Sequence, residues 1–271
     1  MTTCARSPGP TPDRSLPPAG SKTVSLADLH MHTTASDGTM SPQAVVNAVL
    51  LSQITLPAPV MRVIAITDHD TIAGAITAQD YLATYHEDAA LEIIIGAEIS
   101  SADGHILALN IRKDIPRDMS AAETVVAIHD AGGIAIAAHP YAYIPFLKGL
   151  KGIKGLIADP VVGNGLDAVE ICNANPTELV NNHFTRWVNR RNLRRPEVGG
   201  SDSHFQSAIG RAGTLFPGVT DQELLLAIQN GTARATGSVY GLFAVLEYAR
   251  DRLAWKKFCS EDPIKRAFHD W

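Results

Sequence analysis

Cysteine is scarce in this chain: there are three, Cys4, Cys172 and Cys259, widely spaced and with no CxxC pair. That excludes a disulfide framework and a thiolate zinc or redox motif, and predicts unpaired thiols in a reducing cytoplasm. No apolar run approaches the roughly 18 residues of a membrane span, and the N-terminus lacks the apolar stretch of a signal peptide, so a soluble intracellular protein is expected. Basic residues are outnumbered, with 23 Lys and Arg against 28 Asp and Glu and a formal charge of −5. This argues against a general phosphate-backbone binder and against stable duplex binding, but leaves room for a local basic pocket. Aromatic residues make up 6% of the chain and offer no obvious base-stacking platform. There is no serine or cysteine nucleophile motif and no glycine-rich P-loop.

What is present is enough apolar material for a core. The chain has 271 residues, 45% of them hydrophobic and 19% charged, which suits one barrel domain of about 250 residues. Residues 1–21 are rich in Pro, Ser, Gly and Thr and read as a disordered leader. The folded domain is expected over 22–255, with a tail at 256–271. Strand patterns near 24–29, 62–67, 91–97, 106–111, 133–138, 167–171 and 197–200 alternate with helical patterns at 42–52, 72–85, 121–131, 177–191, 221–229 and 239–255. The Asp103-Gly104 turn makes the third and fourth strands a hairpin. The remaining alternation indicates parallel βαβ units and an α/β barrel.

Six of the ten histidines and three carboxylates fall at the expected strand ends or in the turns after them: His30, His32, Asp37, His69, Glu98, His105, His139, Asp202 and His204. Two histidines two residues apart on an extended strand end point to one side and can hold one ion together. A carboxylate such as Glu98 after LEIIIGA is costly to bury unless paired or metal-bound. In a barrel the loops after the strands converge on one rim, so distant residues can share metals. Asp70 reads as a helix N-cap, and Asp68 as a turn residue or the partner that orients a histidine. His86, His129, His183 and His269 are expected to be structural.

The ordered motifs DLHMHTTASDG, AITDHDT, GAEIS followed by GHILAL, AAHP and GGSDSH resemble the polymerase and histidinol phosphatase (PHP) family of metal-dependent phosphoesterases, over about Asp28 to Gly237. The resemblance implies a distorted TIM-like (β/α)7 barrel with two or three divalent ions, Mn, Zn or Fe. It assigns one ion to His30, His32, Glu98 and Asp202, a second to Glu98, His105 and His139, and a third to Asp37, His69 and His204. Some members carry His where this chain has Asp37, which makes the third site harder and more manganese- or iron-like. Three ions and three carboxylates leave a formal charge of about +3, which attracts phosphate to an otherwise acidic protein. The implied chemistry is attack by metal-bound hydroxide, with Glu98, Asp202, His139 and His204 as the catalytic set.

Arg211 is the first candidate for a phosphate contact, because its planar fork suits bidentate binding. Asn173, Tyr141 and Lys148 are further substrate-contact candidates. A nucleotide or sugar phosphomonoester is the favoured substrate, with a phosphodiester or short oligonucleotide next. An amidohydrolase would share the HxH start but needs a carboxylated lysine or equivalent on a middle strand. A non-catalytic metal-binding regulatory module would be expected to have lost ligands, and none is missing here.

Overall fold

The computed structural model describes residues 23–55, 58–141, 162 and 165–261. The expected leader, Lys148 and His269 lie outside these residues. The chain runs β1 (Val24–Asp28), α1 (Pro42–Thr55), β2 (Met61–Ile66), α2 (Ala73–Tyr85), β3 (Glu92–Ser101), β4 (Gly104–Leu109), α3 (Ala121–Asp130), β5 (Ile134–Ala137), β6 (Ala168–Asn173), α4 (Leu179–Val188), β7 (Glu197–Gly200), β8 (Ala212–Pro217), α5 (Asp221–Gln229), β9 (Arg234–Gly237) and α6 (Leu242–Glu261). The α6 helix crosses the boundary expected at residue 255. A π-helical turn, Asn189–Leu193, ends α4 earlier than its sequence period suggests.

All nine strands form one sheet in the order β7-β6-β5-β4-β3-β2-β1-β8-β9. The pairs β1–β2, β2–β3, β5–β6 and β6–β7 are parallel. The expected β3–β4 hairpin is antiparallel, with Ser101 opposite Gly104, and so are β4–β5, β1–β8 and β8–β9. The sheet is nearly closed on itself. Beyond β7, Ser203 bridges to Met31 in parallel, with His32 N donating to the Ser203 carbonyl at 2.9 Å and Ser203 N to the His30 carbonyl at 3.3 Å. A Cβ at Gly200 would lie 2.5 Å from His30 Cβ, so the approach of β7 to β1 requires a residue without one.

The barrel interior is filled by a layer of packed side chains contributed by β1 to β8, among them Ala27, Val63, Leu107, Ile136, Val198 and Phe216, together with Leu29 just after β1 and Leu224 and Ile228 of α5. Three further clusters pack the outer face of the sheet against α1 and α2, against α3, and against α6. Each fully buried Leu, Ile or Val here contributes about 1.5–3 kcal/mol of transfer free energy. That layer supports a rigid floor under the loops that follow the strands. Among the described residues, no helix is long and apolar enough to cross a membrane.

Candidate metal centre

The loops after β1, β2, β5 and β7, together with β3 and β4 themselves, bring all nine expected ligands to one rim. Glu98, 1% exposed, is the hub. Its Oε2 lies 3.2 Å from His30 Nε2, 3.2 Å from His32 Nε2 and 3.4 Å from His69 Nδ1, while Oε1 lies 2.8 Å from His105 Nδ1 and 2.9 Å from His139 Nε2. Asp202 Oδ1 reaches His30 Nε2 at 3.5 Å and His32 Nε2 at 3.4 Å, and Asp37 Oδ2 reaches His204 Nε2 at 3.2 Å.

Four groups of ligand atoms each lie within 4.8 Å of one another: His32, Asp37, His69 and His204; His30, His32 and Glu98; His30, His139 and Asp202; His69, Glu98 and His105. The third expected ion keeps its ligands and gains His32. The first keeps His30, His32 and Glu98 but loses Asp202 to a group with His30 and His139, and the second divides, because His105 groups with His69 and Glu98. Both ring nitrogens of His32, and Nδ1 of His69, His105 and His139, are buried without a hydrogen-bond partner. Orphaned buried nitrogens are costly. Those of His32, His69 and His105 face carboxylate oxygens at 2.8–3.6 Å without hydrogen-bond geometry and so fit shared cations better than direct hydrogen bonds.

Sequence reasoning missed the residues beneath the ligands. Glu170, 1% exposed in β6, accepts from His30 Nδ1 at 3.1 Å and from His139 N at 2.8 Å. Its signal was a lone carboxylate inside the apolar strand AVEICN. Asp28 fastens the rim by accepting from Ser201 N at 2.8 Å and Gly210 N at 2.9 Å. Asp68, expected to be a turn residue or the partner of a histidine, serves a loop instead: it accepts from Thr33 N, Thr33 Oγ1 and Ser36 Oγ at 2.7 Å each and so shapes the loop that carries Asp37. Glu178, 4% exposed, is pushed up to about 7 by burial.

The electrostatics follow from this crowding. Burial alone would push the Glu98 carboxyl up, but His105, His30 and His69 around it hold it well below the usual range. Asp202 is likewise raised by burial and lowered further by His30, His32 and His204. Burial lowers His32 and His139, yet the neighbouring Asp202, Glu98 and Asp37 carboxylates raise His32 to about 10, and Glu98 raises His139 to about 9. His69 falls to about 4, because burial, His32 and His105 outweigh Glu98. Asp28, buried away from the histidine rings, rises to about 6.

Several expectations need correction. Asn173 is fully buried, and its Nδ2 donates to Glu170 Oε2 at 3.1 Å and Asp202 Oδ2 at 3.2 Å, so it braces ligands and does not meet substrate. Arg211 is exposed, and its Nε donates to the Ser207 carbonyl at 3.0 Å. Among the described residues it has no hydrogen bond or ion pair to the cluster. The guanidinium that does approach belongs to Arg252 of α6, whose Nη1 donates to the Asp37 carbonyl at 2.5 Å. On the same helix Tyr248 stacks on Phe205 at 5.2 Å and meets His204 edge-on at 6.0 Å. Asp70 is not the α2 cap: its φ is +57°, its Oδ1 accepts from Ser100 N at 2.7 Å, and Asp114 Oδ1 accepts from Ile72 N at 2.8 Å instead. Outside the centre, His129 pairs with Asp167 at 3.0 Å, His86 caps α2, and His183 is exposed.

A family described as PHP-associated matches residues 181–233. A two-domain Bacteroides vulgatus protein containing a predicted PHP-like metal-dependent phosphoesterase shares the fold, with a TM-score of 0.59 at 18% identity over 82% of this chain and 67% of that one. The uncharacterized protein MJ1587 of Methanocaldococcus jannaschii is 33% identical over 168 residues, 58% of this chain and 86% of that protein. The chain belongs to the PHP family. PsfC from Pseudomonas syringae superposes on this PHP chain with a TM-score of 0.62 at 16% identity, covering 86% of this chain and 99% of that one. The 5'-3' exoribonuclease Rnm of Escherichia coli is 42% identical over 90 residues, 32% of this chain and 28% of the enzyme. The PHP chain thus spans less than a third of that enzyme's length.

Proposed function

We propose that this PHP protein is a metal-dependent phosphoesterase of the cytoplasm that hydrolyses phosphate esters at a trinuclear centre. The observation that carries this is the convergence of five histidines on Glu98, with Asp37, Asp202 and His204 beside them and five buried imidazole nitrogens left without hydrogen-bond partners. His30, His32, Glu98 and Asp202 would hold one ion. Glu98, His105 and His139 would hold the second, and Asp37, His69 and His204, with His32, the third. When bound, such ions supply a water acidified toward neutrality and positive charge for the phosphate oxygens.

The chain's own residues do the positioning. Glu170 accepts from His30 Nδ1 and so leaves Nε2 free to face Glu98 and Asp202. Asn173 holds the Asp202 and Glu170 carboxylates apart from solvent and in register. Arg252 stands beside Asp37, where its guanidinium can meet phosphate oxygens, and Tyr248 covers His204 against bulk water.

Sequence reasoning put phosphomonoesters ahead of diesters. The similarity to exoribonucleases favours nucleotides over sugar phosphates, and an exposed aromatic and arginine face on α4 favours the terminal nucleotide of a strand over a free mononucleotide. The test is hydrolysis of p-nitrophenyl phosphate, its bis ester and a short 5′-phosphorylated oligoribonucleotide by stripped protein reloaded with manganese, zinc or iron. Metal-dependent turnover abolished by Glu98→Gln and by Asp202→Asn is expected. Metal binding with no turnover of any of the three would leave a regulatory module instead.

A further inference from the structure

We propose that the exposed face of α4 is a stacking track for the unpaired bases of a single-stranded nucleic acid whose end lies in the metal centre. This rests on the nucleotide-strand reading above. The Tyr141 and Phe184 rings meet edge-to-face at 4.6 Å and 69°, Phe184 and Trp187 lie nearly parallel at 5.9 Å and 14°, and the Arg191 guanidinium sits 4.5 Å over the Trp187 ring. Phe184 and Trp187 are three residues apart on α4 and share one stripe, and the π-helical turn that follows carries Arg191 back over Trp187. Phe184 is 47% exposed and Trp187 49%. Flat, half-open rings with a guanidinium among them are the means by which proteins hold single strands without reading their sequence.

Charge argues for a polyanion as the occupant. From Leu179 to Pro196 the chain carries Arg186, Arg190, Arg191, Arg194 and Arg195 and no carboxylate, in a protein of net charge −5. Arg190 pairs with Glu197 at 3.3 Å, while Arg191 and Arg194 are exposed. An apolar protein partner would not call for this concentration of one sign.

Position argues for continuity with the metals. Tyr141 lies two residues after His139, whose Nε2 is 2.9 Å from Glu98. At the same end of the face, Asn182 locks α4 to the site: its Oδ1 accepts from Asn173 N at 3.0 Å and its Nδ2 donates to the Asn173 carbonyl at 2.8 Å. Asn173 in turn bonds Asp202. A strand with its end at the ligands can therefore lay its next bases along a platform fixed to the same β6 end.

The experiment uses the full-length protein carrying Asp202→Asn, with anisotropy of a short 3′-labelled adenosine oligoribonucleotide as the binding readout and circular dichroism as the fold control. Trp187→Ala is expected to weaken binding about tenfold or more, with Trp187→Phe restoring most of it. Arg191→Ala is expected to weaken binding and flatten its salt dependence. In the active protein, Trp187→Ala should lower the ratio of kcat/KM on the oligonucleotide to that on p-nitrophenyl phosphate by a similar factor. Binding within about twofold of the parent would overturn the track, since a stacked base is worth more than that. Loss of self-association in Trp187→Ala with unchanged oligonucleotide binding would make the face a protein interface and overturn it as well. Trp187-dependent binding in a protein that turns over no ester would leave the track standing and remove the catalytic reading. Ester hydrolysis with Trp187-independent binding would do the reverse.

Discussion

His30 is held at both nitrogens, by Glu170 at 3.1 Å on Nδ1 and by Glu98 and Asp202 at 3.2 and 3.5 Å on Nε2. Glu170→Ala is therefore expected to weaken metal binding about 10–100-fold, measured by chelator competition. Protonation gives a second expectation, for the metal-free protein. His32 and His139, raised to about 10 and about 9, contribute stability that is complete below their unfolded pKa and lost as pH rises through those values. His69, lowered to about 4, acts oppositely and removes stability as pH falls below its unfolded value of about 6.5. Urea midpoints of the stripped protein should therefore fall between pH 7 and 10, whereas the metal-loaded protein, whose ligating imidazoles are neutral, should not show that fall. The gathering of the nine candidate ligands at one rim was legible because each follows an apolar run or a turn. Glu170 was not, because a buried carboxylate within a strand leaves no period of its own. Asn173 and Arg211 were misread because sequence places a residue near a rim without saying which way its side chain turns.

Among the elements, α6 adds what the barrel strands do not. It brings Arg252 to the Asp37 loop and Tyr248 to His204 from about fifty residues beyond the last ligand. Arg252→Ala is expected to raise KM for a phosphate ester about tenfold, the loss of roughly one charge-assisted hydrogen bond, with Arg252→Lys recovering part of it. Initial rates across substrate concentration decide this, and a change confined to kcat would remove Arg252 from substrate binding. The βα alternation of the first half and the β3–β4 hairpin were readable from period and turn. The strands β8 and β9 escaped, since AGTLFP carries Gly and Pro and RATG is four residues long. Pairing with β1, with Ala27 opposite Thr214, and with β9, with Thr214 opposite Ala235, makes β8 a strand.

For the molecule as a whole, candidate ligands drawn from six strands or the loops after them would make any bound metals part of the tertiary structure. Chelation should lower the thermal midpoint, because an ion that binds only the folded chain adds about 2.7 kcal/mol per site at a hundredfold excess over its Kd. Calorimetry with and without chelator measures this, and an unchanged midpoint would mean that the ligand shell stands without ions. The barrel fold follows from patterning that spans the chain. The pairing of His30 and His32 with residues 202 to 204 does not, since nothing local records a contact across some 170 residues.

That bridge between Met31 and Ser203 also sets a time order. Synthesis runs from the N-terminus, and the earliest ligands, His30 and His32, emerge long before Asp202 and His204 do. Until those arrive, the HxH pair has neither its opposing carboxylate nor the β-bridge that orients it. A ribosome-bound chain is therefore a chelating fragment without a finished centre. The cluster can assemble only once the chain has been made at least as far as His204, so a filled cluster would report that β1 and β7 have already met.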